Sequence, residues 1–288
     1  MLNNTRKGIM LMVLTTIIFA IQDGISRHLA GQYGAITVVM LRYWFFAAFV
    51  IAISASRPGG VRRIARTSQP FLQIFRGVLL VAEICVAITA FVMLGLVEAH
   101  AVFASYPLIV AALSGPVLGE SVGWRRWLAI FVGMIGVFVL LNPGEKMFSP
   151  AILLGILAAV MFALYSLLTR YAARKDSAET SFFWTGVSGA VAITIIGVFF
   201  WTPLDQSDWG WMAALCVGGA LGHYTLIKAY EAAEASTIQP FAYFQLLFAS
   251  TIGVLIFADI LETRLLIGGA IIVSAGLFAL FREKRKKT

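Results

Sequence analysis

The chain has 288 residues; 60% are hydrophobic and 12% charged, and the mean hydropathy is +0.89. Soluble proteins average about 45–50% apolar and about 25% charged residues, so this composition excludes ordinary soluble domains and fits a polytopic membrane protein. The net charge of +8 is not spread on a basic face with interleaved aromatics, so no nucleic-acid partner is expected.

Apolar runs predict ten helical spans in chain order, near residues 8–29, 35–56, 72–95, 98–118, 125–142, 151–172, 180–201, 210–230, 235–258 and 265–282. Each is close to the roughly 20 residues needed to cross the hydrocarbon core. The runs are near-continuous, which excludes the alternation of a β-barrel. Turn and charge signals separate them, among them Gly31 and Gly34, Arg57-Pro58-Gly59-Gly60, Gly119-Glu120, Asn142-Pro143-Gly144, Arg174-Lys175-Asp176 and Asp259 to Arg264. All loops are short, and the longest, 57–71, is basic and too small for a domain. No signal peptide is expected, because the first run is too long for one and carries Gln22 and Asp23. Cys85 and Cys216 lie in apolar runs and read as buried thiols.

Alternating the loops from a cytoplasmic N-terminus gathers fifteen basic residues inside: Arg6, Lys7, Arg57, Arg62, Arg63, Arg66, Arg125, Arg126, Arg174, Lys175, Arg282, Lys284, Arg285, Lys286 and Lys287. Only Lys146 and Arg264 fall outside. This bias predicts an integral protein with both termini cytoplasmic, and short loops without a targeting signal suggest a bacterial inner membrane.

The sequence also repeats. A shift of 143 lays 8–50 on 151–193 without a gap and matches Phe19 with Phe162, Arg27 with Arg170 and Thr37 with Thr180. A shift of 136 then matches Glu98 with Glu234 and Ala99 with Ala235. Five spans repeating as five must enter the membrane in opposite senses. The fold expected is therefore all-α, with ten transmembrane helices in two inverted-topology repeats, 1–145 and 146–288. Inverted repeats mark alternating-access carriers, whose substrate site lies near mid-membrane between the halves.

The stretch from Glu98-Ala99 to Tyr106-Pro107, then Gly119-Glu120, then the helix with Gly133 and Gly136, resembles the C-terminal part of an EamA repeat of the drug/metabolite transporter superfamily. A looser second copy has Pro240, Asp259 where Glu120 stands, and Gly276. The resemblance covers essentially the whole chain. It implies a ten-helix carrier whose first four helices in each half line the cavity, closest in look to bacterial amino-acid exporters of the YddG type.

Charged groups inside a span cost roughly 2.5–3.5 kcal/mol each on insertion scales, so they should face a cavity or a partner. Asp23 and Arg42 lie at equal depth on the first two helices, where an ion pair or a substrate clamp is plausible. Glu83 sits mid-span and could meet a substrate amine or carry a proton; His223 is the second proton-coupling candidate. Gln22, Tyr43, Tyr106, Tyr165, Tyr243 and Gln245 offer neutral polar tips to the same cavity, and Pro107 and Pro240 are candidate hinges. Arg76 reads as an interfacial residue that snorkels, and His28 and His100 as residues of the outer boundary. No metal-ligand spacing, P-loop or hydrolase motif occurs, so neither cofactor nor ATPase chemistry is expected in this chain. The function expected is a secondary carrier exporting small amphiphilic metabolites, most simply aromatic or neutral amino acids, from a chain compatible with a monomer. The rivals are a cationic-drug or nucleotide-sugar carrier of the same fold, and a membrane scaffold or intramembrane enzyme.

Overall fold

The computed structural model describes residues 4–120, 123–141 and 149–284. The Asn142-Pro143-Gly144 break, Lys146, the 145/146 division and the basic residues Arg285, Lys286 and Lys287 lie outside the described residues. Among the described residues the chain is helical, with no strand. The helices are α1 (Thr5–Tyr33), α2 (Ala35–Ala55), α3 (Gly60–Ala65), α4 (Pro70–Leu94), α5 (Leu96–Phe103), α6 (Tyr106–Leu118) and α7 (Trp124–Leu141). They continue as α8 (Pro150–Ala172), α9 (Ala178–Gly197), α10 (Trp209–Ala232), α11 (Ala235–Ala242), α12 (Phe244–Phe257) and α13 (Thr263–Lys284).

Among the described residues, eight segments are long and apolar enough to cross a membrane, with Leu96–Leu118 and Ala235–Phe257 each counted as one. α7 and α13 fall where the fifth and tenth spans were expected; the apolar stretch of α13, Thr263–Ala275, is shorter. Local chemistry sets several ends. Ser149 caps α8 ahead of Pro150, and Ser177 caps α9 by accepting from the Thr180 N–H. Gly34 and Gly95, at φ of +77° and +82°, each turn the chain from one helix into the next in one residue, a conformation that glycine adopts without strain.

Two of the expected spans are broken. The fourth divides at Ala104 and Ser105, so that Pro107 stands in the first turn of α6 rather than in mid-helix. The ninth divides at Tyr243, two residues past Phe241, with Pro240 inside α11. Both breaks thus fall within three residues of corresponding places in the two halves, and Ala104, Ser105 and Tyr243 are all buried. The basic loop also carries an unexpected short helix, α3.

The packing is symmetric under exchange of the halves. α1 packs on α10 and α8 on α4, which are mates; α1 packs on α11 and α12, as α8 packs on α5 and α6. α2 with α9 and α7 with α13 are mates that pair with each other, and α6 on α11 is matched by α12 on α5. Each long helix therefore finds its main partner in the opposite half. Small residues permit the close crossings: a Cβ built on Gly189 would stand 2.2 Å from the Tyr43 ring, and one on Gly77 1.9 Å from Ser188 Oγ.

Loop contacts sort the ends into two faces. On one, the Asn4 N–H meets the Ala232 carbonyl, Asp176 meets Thr67 and Ser68, and Arg57 meets Glu179. On the other, the Tyr33 hydroxyl donates to Asp208, and Thr37 to the Phe200 carbonyl. The alternation of loops read from the sequence produces this sorting.

Candidate functional site

A narrow cavity of about 40 Å³ lies between the halves. α1 supplies Phe19, Gln22 and Asp23; α2 supplies Arg42; α4 supplies Glu83, Ile84, Ala87, Ile88 and Phe91. Phe103, the last residue of α5, and Gln245, the second of α12, reach it from beside the two helix breaks. Phe162 of α8 and His223 of α10 close the ring. The space holds a few waters at most, so a metabolite requires the helices to part.

Asp23 and Arg42 do not pair with each other. Asp23 accepts from His100 Nε2 at 3.1 Å, from Gln245 Nε2 at 3.0 Å and from Gln22 Nε2 at 3.4 Å. Arg42 Nη2 lies 3.1 Å from His223 Nε2. A guanidinium only donates, so His223 Nε2 accepts and its proton sits on Nδ1, which has no partner. The expected ion pair fails because equal depth fixes height on a helix but not which way a side chain turns; each residue ends on a histidine instead.

Glu83 is 3% exposed and has neither a hydrogen-bond nor an ion-pair partner among the described residues. Gln22 Oε1 and Gln245 Oε1 are likewise buried without a partner. Around these groups the rings of Phe19 and Phe162 lie 6.3 Å apart, and those of Phe103 and Phe162 5.4 Å.

Six of the ten expected cavity residues line the space: Gln22, Asp23, Arg42, Glu83, His223 and Gln245. The tyrosines do not. Tyr43 is buried against Gly189 and Phe46, Tyr106 against Phe103 and Phe162, and Tyr243 in the cluster beneath α13. Tyr165 packs edge-on to His223, with the Arg76 guanidinium 5.2 Å from its centroid. Of the four, Tyr106 and Tyr165 pack directly behind lining rings. Arg76 does not snorkel: it is fully buried and donates to Thr169 Oγ1 and Gln73 Oε1. His100 is no boundary residue either. It is 2% exposed, because α4 turns directly into α5 at Gly95 and tucks this turn against α1. The phenylalanines were not singled out from sequence, since an aromatic in an apolar helix carries no sign of the side it faces; Phe19 and Phe162, as repeat mates, were the available signal.

A larger crevice of about 230 Å³ opens beside Arg57 and Glu179, between α2, α9 and α10. Its rings Phe182 and Tyr224 pack at 5.1 Å, and Phe46 packs on Phe182 at 4.7 Å, one turn of α2 from Arg42.

A buried charged cavity between two intertwined helical halves, in a chain with eight membrane-length segments, defines an integral membrane protein of carrier type. The chain belongs to the EamA-like transporter family, which it matches over residues 6–142 and again over 149–281. It is 26% identical over 278 residues to an S-adenosylmethionine uptake transporter of Rickettsia prowazekii (strain Madrid E), covering 96% of this chain and 94% of that protein. It is 28% identical to a riboflavin transporter of Vibrio cholerae, over 97% and 95% of the two chains, and 24% identical to a pseudopaline exporter of Pseudomonas aeruginosa, over 97% and 98%. A solved crystal structure, 20% identical, shares the fold with a TM-score of 0.73 over 97% of this chain and 98% of its own.

Proposed function

We propose that the protein is a secondary carrier exporting small amphiphilic metabolites with an amino-acid-like head group across a bacterial inner membrane by alternating access. The proposed frame is ten spans in two inverted repeats, 1–145 and 146–288, with both termini cytoplasmic. Glu83 carries the reading. A carboxylate in mid-span costs roughly 2.5–3.5 kcal/mol on insertion scales, and this one has no partner of its own in the cavity it lines. A substrate cation supplies that partner, and the surrounding rings favour a soft cation such as an ammonium or sulfonium through their negative faces. Arg42 lines the same space and suits a substrate carboxylate. Amino acids and S-adenosylmethionine share this pair of charges. The relatives include proteins named for uptake and for export, and a carrier runs either way as its gradients dictate.

Proteoliposomes loaded with unlabelled substrate test the proposal by exchange of labelled phenylalanine, threonine, methionine and S-adenosylmethionine. Saturable exchange is expected for at least one of them. Glu83→Gln is expected to lower it about tenfold at an unchanged unfolding temperature, as loss of one charge-assisted contact worth about 1.4 kcal/mol would do. No exchange of any of the four by folded protein, or full exchange by Glu83→Gln, would overturn the assignment. Efficient exchange of cations lacking a carboxylate would instead favour the cationic-drug reading.

A further inference from the structure

Outside the central cavity, two charged clusters are built to the same plan at opposite faces. Asp259 follows α12; Ala258 before it is left-handed at φ +54°, and the Asp259 N–H closes back on the Gly253 carbonyl at 3.0 Å. Glu120 follows α6; Gly119 before it is left-handed at φ +64°, and the Glu120 N–H closes back on the Ser114 carbonyl at 3.3 Å. Each cap throws its carboxylate across to the other half. Asp259 takes Arg27 of α1 at 2.8 Å on both oxygens, and accepts the first two N–H groups of α5, from Leu96 at 2.8 Å and Val97 at 3.3 Å. Glu120 takes Arg170 of α8 at 3.4 Å, and accepts the first two N–H groups of α11, from Ala235 and Ser236 at 3.3 Å each.

Arg27 and Arg170 are repeat mates, and so are Asp259 and Glu120. Each cluster ties three things: the first helix of one half, the entrance of that half's broken fourth helix, and the end of the other half's fourth helix. Their carboxylates are nearly buried, at 11% and 6% side-chain exposure, so the bonds are shielded from the water that weakens surface pairs. Gly95 is required by the first: a Cβ there would stand 3.0 Å from Asp259 Oδ1.

We propose that Arg27–Asp259–α5 and Arg170–Glu120–α11 are the two latches of the transport cycle, each holding one end of the cavity shut and each released in turn. The inference rests on the carrier reading above, but its test needs no substrate. In a background of Cys85→Ala and Cys216→Ala, the cavity residue Ala87 is replaced by Cys and labelled with a membrane-impermeant maleimide, in right-side-out and in inverted membrane vesicles. Asp259→Asn is expected to raise labelling from the Arg27 face about tenfold and to lower it from the opposite face, the shift produced by removing about 1.4 kcal/mol from one closed end. Glu120→Gln is expected to do the reverse. Arg27→Gln and Arg170→Gln should reproduce the shift of their own partner, which guards against misfolding of one variant. Equal effects of the two carboxylate variants on both faces, or no effect of either in folded protein, would overturn the latches while leaving substrate exchange to be judged by itself.

Discussion

His100 and Asp23 make the sharpest departure from the sequence reading at the scale of the residue. One ring nitrogen of His100 faces the Leu96 carbonyl at 3.0 Å and the other faces Asp23 at 3.1 Å. The carbonyl only accepts, so Nδ1 donates to it, and Nε2 is left to face the Asp23 carboxyl. The pair stands beside the cavity, with Glu83 on α4, Arg42 on α2 and His223 on α10 as its charged and titratable neighbours. His100→Gln is expected to lower exchange by freeing the Asp23 side chain that lines the cavity; unchanged exchange in folded protein would show that the contact does not shape the site. Sequence reasoning placed coupling on Glu83 and His223. Depth along a helix identified Asp23, Arg42 and Glu83 as groups needing an explanation. It gave no access to the distant partners of Asp23 and Arg42, because those come from helices 77 to 222 residues away in the chain.

Among the elements, loops do more than connect. Asp176, between α8 and α9, accepts from Thr67 Oγ1, from the Ser68 N–H at 3.1 Å and Oγ at 3.2 Å, and from Gln73 Nε2 at 2.9 Å. Partial burial pushes its carboxyl up, but these hydrogen bonds outweigh that and hold it below the usual carboxylate range. A lowered folded-state value means stability that is present above the unfolded pKa of about 3.9 and lost as pH falls through the lower folded value. Asp176→Asn is therefore expected to lower the unfolding temperature at pH 7, with the gap to the parent protein closing below about pH 4, measured by thermal melts in detergent. At the α2–α9 crossing, Gly189→Ala drives a methyl into the Tyr43 ring and is expected to cost about 1–3 kcal/mol, read as a fall in unfolding temperature. The helices themselves were legible from apolar runs. The breaks at 104–105 and 243 were not, since proline marked each region while cross-helix packing chose the residue where the helix stops.

For the whole molecule, the repeat seen in the sequence becomes an exchange of partners: α1 with α10, α4 with α8, α2 with α9, α7 with α13. Neither half has its own core. Chains 1–145 and 146–288, expressed separately, are expected to be degraded or aggregated, and expressed together to co-purify through a tag on one of them; a stable, monodisperse single half would contradict this packing. The mates Arg27 and Arg170, Glu120 and Asp259 were legible as pairs, although nothing in their spacing revealed that each carboxylate crosses to the other half. The smallness of the central cavity carries one more consequence. A living membrane is charged like a capacitor, and one elementary charge crossing it releases about 2.3 kcal/mol per 100 mV. With room for only a few waters, the described central cavity is no ion pore, so a charged substrate that crosses with the moving helices does work in that field.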